Sequence, residues 1–510
     1  MSDFLNQLQE ASVLSPNEQA FLGRIDEWFA AHKQEFIADL IDWVSYPSVS
    51  DADKAAPDAP FGPEVARLFD RVIERAHALG FKTERHDGYA ISILGDDGSI
   101  DEDIGLVSHL DVVPAGENWT FEPYQPFERD GFIIGRGSSD NKGPALLDLY
   151  LLRAFRELGV GFKRRLRIVY GGAEETSMAD IAYFAEHGPV PRLSIITDGG
   201  FPVNYAQKGG LNLVVRLPVQ GSVLAGLKAG VAANAVPASA TLALKDRDIK
   251  TWEEKIASLS ADLREKISVG QDGADLILHA RGQSGHAAFP ENTLNPIPLL
   301  LRALIEADTL QGADLELAKL IAGLLADPWG KGAGVADEDE QTGKLTLNGG
   351  LISGDENGIT LHLDIRYPIS TNVGQLLTVL EENIRPFEGH IDIERDAKPV
   401  HFDKNSSLVQ LLQNSFDTVA EAKTQPFSMG GGTHARVLPN SITFGPGFGR
   451  DPSLLFQGEA VNARPDFIPA ENGSAHGPDE FVAIENLRKA LLVYAVTLPR
   501  LDRWVDEGLV

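Results

Sequence analysis

The chain has 510 residues, 43% of them hydrophobic, and a formal net charge of −29 at pH 7. It is long enough for a large buried core divided over several domains, and so acidic a balance argues against nucleic acid or an anionic membrane surface as partner, since both demand basic patches. There is no cysteine, which excludes disulfides, thiolate metal sites and a cysteine nucleophile.

The opening stretch, MSDFLNQLQEASVLSPNEQAF, is polar and amphipathic and does not read as a secretory leader. No apolar run reaches the roughly 18 residues that a membrane span needs, so a cytoplasmic location with no membrane partner is expected. Helices are expected over residues 1–45, where Phe21, Ile25, Trp28 and Phe29 recur at three- and four-residue spacing. DIGLVSHLD reads as a strand ending at His109. GFIIGRGSSDNKGPALLDLYLLRAFRELG is a Gly-rich turn running into a long, leucine-rich helix. RLRIVYGG is a second strand, ending just before Glu174, DIAYFAEHG is a helix, and LSIITDGG is a third strand ending at Asp198. This alternation predicts an α/β domain, a mostly parallel sheet flanked by helices.

From about residue 206 the texture changes. LNLVVRLPV, ATLALKD, ADLILHARG and GITLHLDIRYPI read as alternating strands, interrupted by charged helical stretches such as WEEKIASLSADLREKI. An inserted α+β domain over 206–396 is expected, between a first part at 1–205 and a second at 397–510. The second part returns to the first texture, with helix SSLVQLLQNSFDTVAEA, strand SITFG and helix FVAIENLRKALLVYAVTL.

Function in open α/β sheets gathers at the carboxyl ends of the strands. There the sequence places His109, Asp111, Glu174, Glu175 and Asp198, with Asp140 in the turn before a helix. Five acidic residues and a histidine at one sheet edge require a cation. Imidazole and carboxylate without thiolate suit zinc, with manganese or cobalt as alternatives, and a bridging carboxylate spans a two-metal site. Neighbouring residues at a strand end point in different directions. Glu175 is therefore expected to face a metal and Glu174 the water to be activated, as general base. His476, in NGSAHGPDEF, is the candidate for a further nitrogen ligand.

SHLDVVPAG, GRGSSDNKG, the Glu174–Glu175 pair and AHGPDEF, in this order, resemble the di-zinc metallopeptidase family of acetylornithine deacetylase, succinyl-diaminopimelate desuccinylase and carnosinase. FPVNYAQKG, GKLTLNGG, DIRYPIS and GGGTHARVLP resemble its bacterial PepV-type dipeptidases most. The resemblance implies a zinc-peptidase-like catalytic domain with an inserted lid and two divalent ions. It implies His109 and Asp198 as ligands of one metal, Glu175 and His476 of the other, and Asp140 as the bridge. Glu174 would be the base and Asp111 the carboxylate that orients the His109 ring. In the insert, His286 would donate to the developing oxyanion, while Asn234 and Arg366 hold the peptide backbone and its terminal carboxylate. Thr433 resembles a substrate-loop residue. The implied reaction is hydrolysis of a small peptide, a dipeptide, by a monomer. The alternatives are an N-acyl-amino-acid deacylase or desuccinylase, and an inactive metal-binding protein that binds peptides.

Overall fold

The computed structural model describes residues 13–245, 248–273, 275–448, 453–470 and 472–505. The part of the expected N-terminal helical segment that precedes Val13 lies outside them. The chain divides into two compact units. One comprises the described residues up to Tyr205, Phe402–Phe427 and those from Thr433 onward. The other comprises Ala206–His401 and Ser428–Gly432.

In the first unit, α1 (Pro16–Val44) begins at a capping box. Ser15 Oγ accepts from the Glu18 amide at 3.3 Å, and the Glu18 carboxylate accepts from the Ser15 amide at 2.9 Å. Ile25, Trp28, Phe29, Phe36 and Leu40 form its buried stripe. After α2 (Pro63–Ala78), β1 (Lys82–His86) and β2 (Ala90–Leu94) make an antiparallel hairpin. Then β3 (Ile100–His109), α3 (Gly143–Glu157), β4 (Arg164–Gly171), α4 (Ala179–His187) and β5 (Leu193–Ile196) alternate. β3 pairs in parallel with both β4 and β5. Its residues from Asp103 to His109 are buried without a break, as a central strand covered on both faces requires.

The second unit contains β6 (Gly209–Pro218), β7 (Leu227–Ala229), β8 (Ala235–Val236), β9 (Ser239–Leu244), α5 (Ile249–Ser258), β10 (Ile267–Asp272), β11 (Asp275–Arg281) and β12 (Gly285–His286). It continues through α6 (Pro296–Glu306), α7 (Gly312–Leu324), β13 (Thr346–Asp355), β14 (Gly358–Tyr367), α8 (Val373–Ile384) and β15 (His390–Ala397). Eight strands form one antiparallel sheet in the order β10-β11-β9-β7-β13-β14-β6-β15. Burial alternates residue by residue along β9 and β11, the signature of a sheet with one covered face. Leu211, Leu213 and Val215 of β6 share one core with Ile297, Leu300 and Leu304 of α6 and Leu317 and Ile321 of α7. β8 and β12 stand outside this sheet as a two-residue ribbon, Ala235 opposite His286 and Val236 opposite Gly285.

The chain returns to the first unit through α9 (Ser407–Ala420), β16 (Ser441–Thr443) and α10 (Ile484–Trp504). β16 pairs in parallel with β5, Ser441 opposite Ser194. From its hairpin edge the sheet runs β1-β2-β4-β3-β5-β16; β4, β3, β5 and β16 are parallel, the hairpin is antiparallel, and beyond β16 an antiparallel partner follows with Asn204 opposite Thr443. The insert extends to His401, beyond the expected residue 396, and takes in Ser428–Gly432. Among the described residues no helix is long and apolar enough to cross a membrane.

Candidate functional site

The carboxyl ends of the parallel strands carry the chemistry. His109 is the last residue of β3, Glu174 and Glu175 follow β4 in a turn, and Asp198 follows β5. Asp140 sits in the turn before α3, and the Asp140–Asn141 peptide is cis. Asn141 Nδ2 ties this turn to the strand ends, donating to Ser108 Oγ at 2.7 Å and to the Thr197 carbonyl at 3.2 Å. His476 lies in the loop ahead of α10, with its backbone in the left-handed region at φ 63°.

Asp140 stands between the two imidazoles. One carboxylate oxygen is 3.2 Å from His109 Nε2 and the other 3.2 Å from His476 Nε2. Glu175 Oε1 is 2.9 Å from His476 Nε2, and Asp198 Oδ2 is 3.8 Å from His109 Nε2. Potential ligand atoms of His109, Asp140 and Glu175 all lie within 4.8 Å of one another, as do those of His109, Glu174 and Asp198. The fold therefore gathers all six side chains expected to hold metal or act as base.

Their charges are not independent. Burial, reinforced by the charge of Asp198, pushes the Glu174 carboxyl well above its usual range. Burial and the Asp140 charge push Glu175 up to about 7. Burial raises Asp198 to about 6, with the histidines opposing and Asp140 adding to the rise. Burial would lower His476, but its hydrogen bonds to Asp140 and Glu175 prevail and raise it to about 11. Asp140 moves the other way: the bonds from His109 and His476 outweigh its burial and hold it well below the carboxylate range. Protons and imidazolium charge thus stand in for a cation. Glu174 Oε1 is buried and has no hydrogen-bond partner among the described residues, a costly state for a carboxylate. Clustered imidazole and carboxylate donors, no thiolate and one orphaned buried oxygen fit a divalent cation.

Acidic residues around the cluster hold its loops by their backbone N–H groups. The Asp111 carboxylate accepts from the amides of Glu174 and Glu175, each at 3.1 Å. Asp111 also meets the His109 ring: its backbone carbonyl accepts from Nδ1 at 3.0 Å, and its carboxylate lies 3.4 Å from the same nitrogen. The proton is thereby held on Nδ1, and Nε2 is directed at the carboxylates. Asp180, buried on α4, accepts from the Ala173 amide at 3.0 Å and from His434 Nε2 at 3.1 Å. A Cβ at Gly171 would lie 2.0 Å from Asp180 Oδ2, so this approach demands glycine. Glu480 accepts from Arg136 Nη1 at 2.7 Å, the Gly137 amide at 2.9 Å and the Ser139 and Asp140 amides at 3.0 Å each. It shapes the turn that presents Asp140. Neither Asp180 nor Glu480 was expected. Glu480 is in the same AHGPDEF stretch as His476, and that proximity was the one available signal.

The remaining expected residues are held as follows. His286 Nδ1 accepts from the Ala288 amide at 3.0 Å, so the neutral ring carries its proton on Nε2. The Asn234 carbonyl accepts from the Ala287 amide at 2.9 Å. Arg366 forms a two-pronged pair with Asp364, both bonds 2.8 Å. Thr433 is buried in the first unit. Its hydroxyl accepts from the Ala435 amide at 3.2 Å and lies 2.9 Å from Thr443 Oγ1, so it caps the short turn His434–Arg436.

The model of the peptidase family M20/M25/M40 matches residues 105–500. The chain belongs to this family. The YtjP protein of Bacillus subtilis (strain 168) is 30% identical over 92% of this chain and 98% of its own length. The Beta-Ala-Xaa dipeptidase of Lactobacillus delbrueckii subsp. lactis is 26% identical over 94% of this chain and 98% of its own. The same fold occurs in the di-peptidase Dug1p of Saccharomyces cerevisiae, with a TM-score of 0.56 at 14% identity, covering 94% of this chain and 98% of that one. Human carnosine dipeptidase 1 gives a TM-score of 0.55 at 15% identity, covering 94% and 99%. As a member of M20/M25/M40 the protein is a metal-binding peptidase, and the acidic–imidazole cluster is its candidate metal centre.

Proposed function

We propose that the protein is a metal-dependent dipeptidase whose centre holds two divalent ions, zinc foremost. The observation that carries this reading is Asp140, which offers one oxygen to the side of His109 and the other to the side of His476. His109 and Asp198 would hold one ion, Glu175 and His476 the other, with Asp140 between. When bound, the ions supply Lewis acidity that brings the pKa of a water towards neutrality. Similarity to a Beta-Ala-Xaa dipeptidase along 94% of the chain supports free dipeptides as substrates.

The protein's own groups then divide the work. Glu174 takes a proton from the attacking water, whose oxygen bonds to the scissile carbonyl carbon. His286 donates its Nε2 proton in a hydrogen bond to the carbonyl oxygen as negative charge grows there. Glu174 passes its proton to the amide nitrogen, the C–N bond breaks, and two amino acids leave. Asn234 engages the peptide backbone. Arg366, with one edge already fixed by Asp364, turns another part of its guanidinium to the terminal carboxylate. One chain carries all of these groups, and a single monomeric species in sedimentation is expected.

Glu174→Gln tests the reading. It should keep the wild-type metal content and lose about 10²–10⁴-fold in kcat. Turnover near wild type in a metal-loaded variant would overturn the assignment. Assays of free dipeptides against N-acetyl amino acids, before and after chelation, check the substrate class.

A further inference from the structure

Asn234 and His286 sit on a ribbon that the main sheet of their unit does not include. Two backbone bridges and the bond from the Ala287 amide to the Asn234 carbonyl join its strands to each other. They do not fix it to anything else. On one side, Val236 and Ala287 line a cavity of about 390 Å³, together with Leu294, Leu325 and Leu347. Nearby, Val231 is 95% exposed. Val236 and Ala287 are buried there, but the open space beside them leaves the packing on that side incomplete, and close packing is the usual means of fixing a side chain to within half an ångström.

The reciprocal backbone pair of Gln283 with Leu294 holds the chain leading into β12, and one buried amide on β13 fixes the other strand. Asn348 Nδ2 donates to the Ala233 carbonyl at 3.1 Å and to the Ala235 carbonyl at 2.9 Å. These are the two carbonyls that flank Asn234. Asn348 Oδ1 accepts in turn from Asn295 Nδ2 at 3.3 Å, and Asn295 Nδ2 also donates to the Gly349 carbonyl at 2.9 Å. Every polar atom of the Asn348 side chain is thus engaged. The backbone here is shaped for the contact: a bulge falls between Gly349 and Leu351, and a Cβ at Gly350 would lie 2.1 Å from the Ala233 carbonyl oxygen. Across the sheet, Asn348 faces Asp364, the carboxylate that grips Arg366. A single register position thus borders the supports of Asn234, His286 and Arg366. This explains GKLTLNGG, whose Asn348, Gly349 and Gly350 have no part in the chemistry.

We propose that Asn348 is a positioning residue that pins the Asn234–His286 ribbon and so aims both side chains at the substrate. The proposal rests on the roles given above to Asn234 and His286. A displacement of about 1 Å in such a group costs on the order of 100-fold in rate.

The test compares Asn348→Leu, Asn295→Ala, His286→Ala and the Asn348→Leu/His286→Ala double variant, with hydrogen–deuterium exchange over residues 231–236 and 284–289. Asn348→Leu should lower kcat on a free dipeptide about 10–100-fold, with wild-type metal content and faster exchange confined to those segments. Asn295→Ala removes the donor to Asn348 Oδ1 and to the Gly349 carbonyl and the cap on the Ile297 amide, but leaves both Asn348 Nδ2 bonds in place, and should show the same pattern at about a third to a tenth of the size. The double variant should lose less than the product of the two single losses, because a mis-aimed ring and a missing one are the same defect and only the share owed to Asn234 remains. Unchanged exchange in both single variants would overturn the clamp and leave the dipeptidase reading standing. Losses that multiply in the double variant would overturn the link to His286. Wild-type turnover in His286→Ala would instead overturn the role of that ring, and with it the catalytic part of the inference, while the exchange data still judged the clamp.

Discussion

The two units position their polar groups by opposite means. Around His109 and His476 the first unit buries carboxylates, and further carboxylates, those of Asp111, Asp180 and Glu480, hold the loops that bear them. Around Asn234 and His286 the inserted unit uses neutral amides, Asn295 and Asn348, in a chain of hydrogen bonds. A cluster of buried acids is complete only with a cation, so its geometry and its protonation are tied to metal and pH. An amide network has no such dependence, because nothing in it titrates in the working range. The first unit is built to take up a charge; the ribbon of the second is built to hold still.

His286→Ala gives the largest effect that bears on this contrast. It should lower kcat about 10²–10³-fold with metal content unchanged, as measured by elemental analysis beside steady-state kinetics. Metal loss in that variant would move His286 out of the neutral group. Asp111→Asn comes next. It replaces an acceptor with a donor facing the amides of Glu174 and Glu175, and should cost about 10–100-fold in activity, read from metal-loaded protein.

A third expectation concerns pH. In the metal-free chain Glu175 and Asp198 titrate near 7 and 6, above ordinary carboxyls because of burial and of Asp140. The folded state then binds more protons than the unfolded one, so these groups stabilise the chain below the ordinary carboxyl range, and that contribution is lost as pH rises through 7. His476, raised to about 11, acts in the same direction: its contribution is complete below the usual imidazole range and declines above it. Chelated protein should therefore melt at a lower temperature at pH 8 than at pH 5.5, and added zinc should raise the melting temperature more at pH 8. Equal metal effects at the two pH values would break the comparison.

The smallest effect belongs to Asp148, buried on α3 and bonded to Thr197 Oγ1 at 2.6 Å. Burial drives its carboxyl well above the usual range. Asp148→Asn should leave kcat unchanged and shift the melting temperature by no more than about 2 °C at pH 6. The variant should gain on wild type as pH rises, because the buried acid's contribution falls away in that direction. A large loss of activity would mean that Asp148 acts as a charge after all.

Much of this was legible in the sequence for a definite reason. Strands ending at His109 and Gly171, and a third before Asp198, are long apolar runs broken by helices, and a parallel sheet puts their ends together. His476 was reachable through its Gly-rich loop ahead of α10. What stayed hidden were residues that act on backbone. Asp180, Glu480 and Asn348 bind N–H or C=O groups, which every residue possesses, so their partners leave no mark in the side-chain pattern. Thr433 shows a further case: the sequence marks its Gly-rich loop, and the fold uses its hydroxyl to cap the turn it opens.

The parallel pairing of β5 with β16 joins Ser194 to Ser441, with the whole of Ala206–His401 synthesised in between. Closing so long an excursion is slow compared with zipping the neighbouring strands β13 and β14. During refolding from denaturant, the insert should acquire its sheet first and this seam should join late. Competence to capture a divalent ion at the proposed centre, which draws Asp198 from the chain before the insert and His476 from the chain after it, would then be the last native property to return.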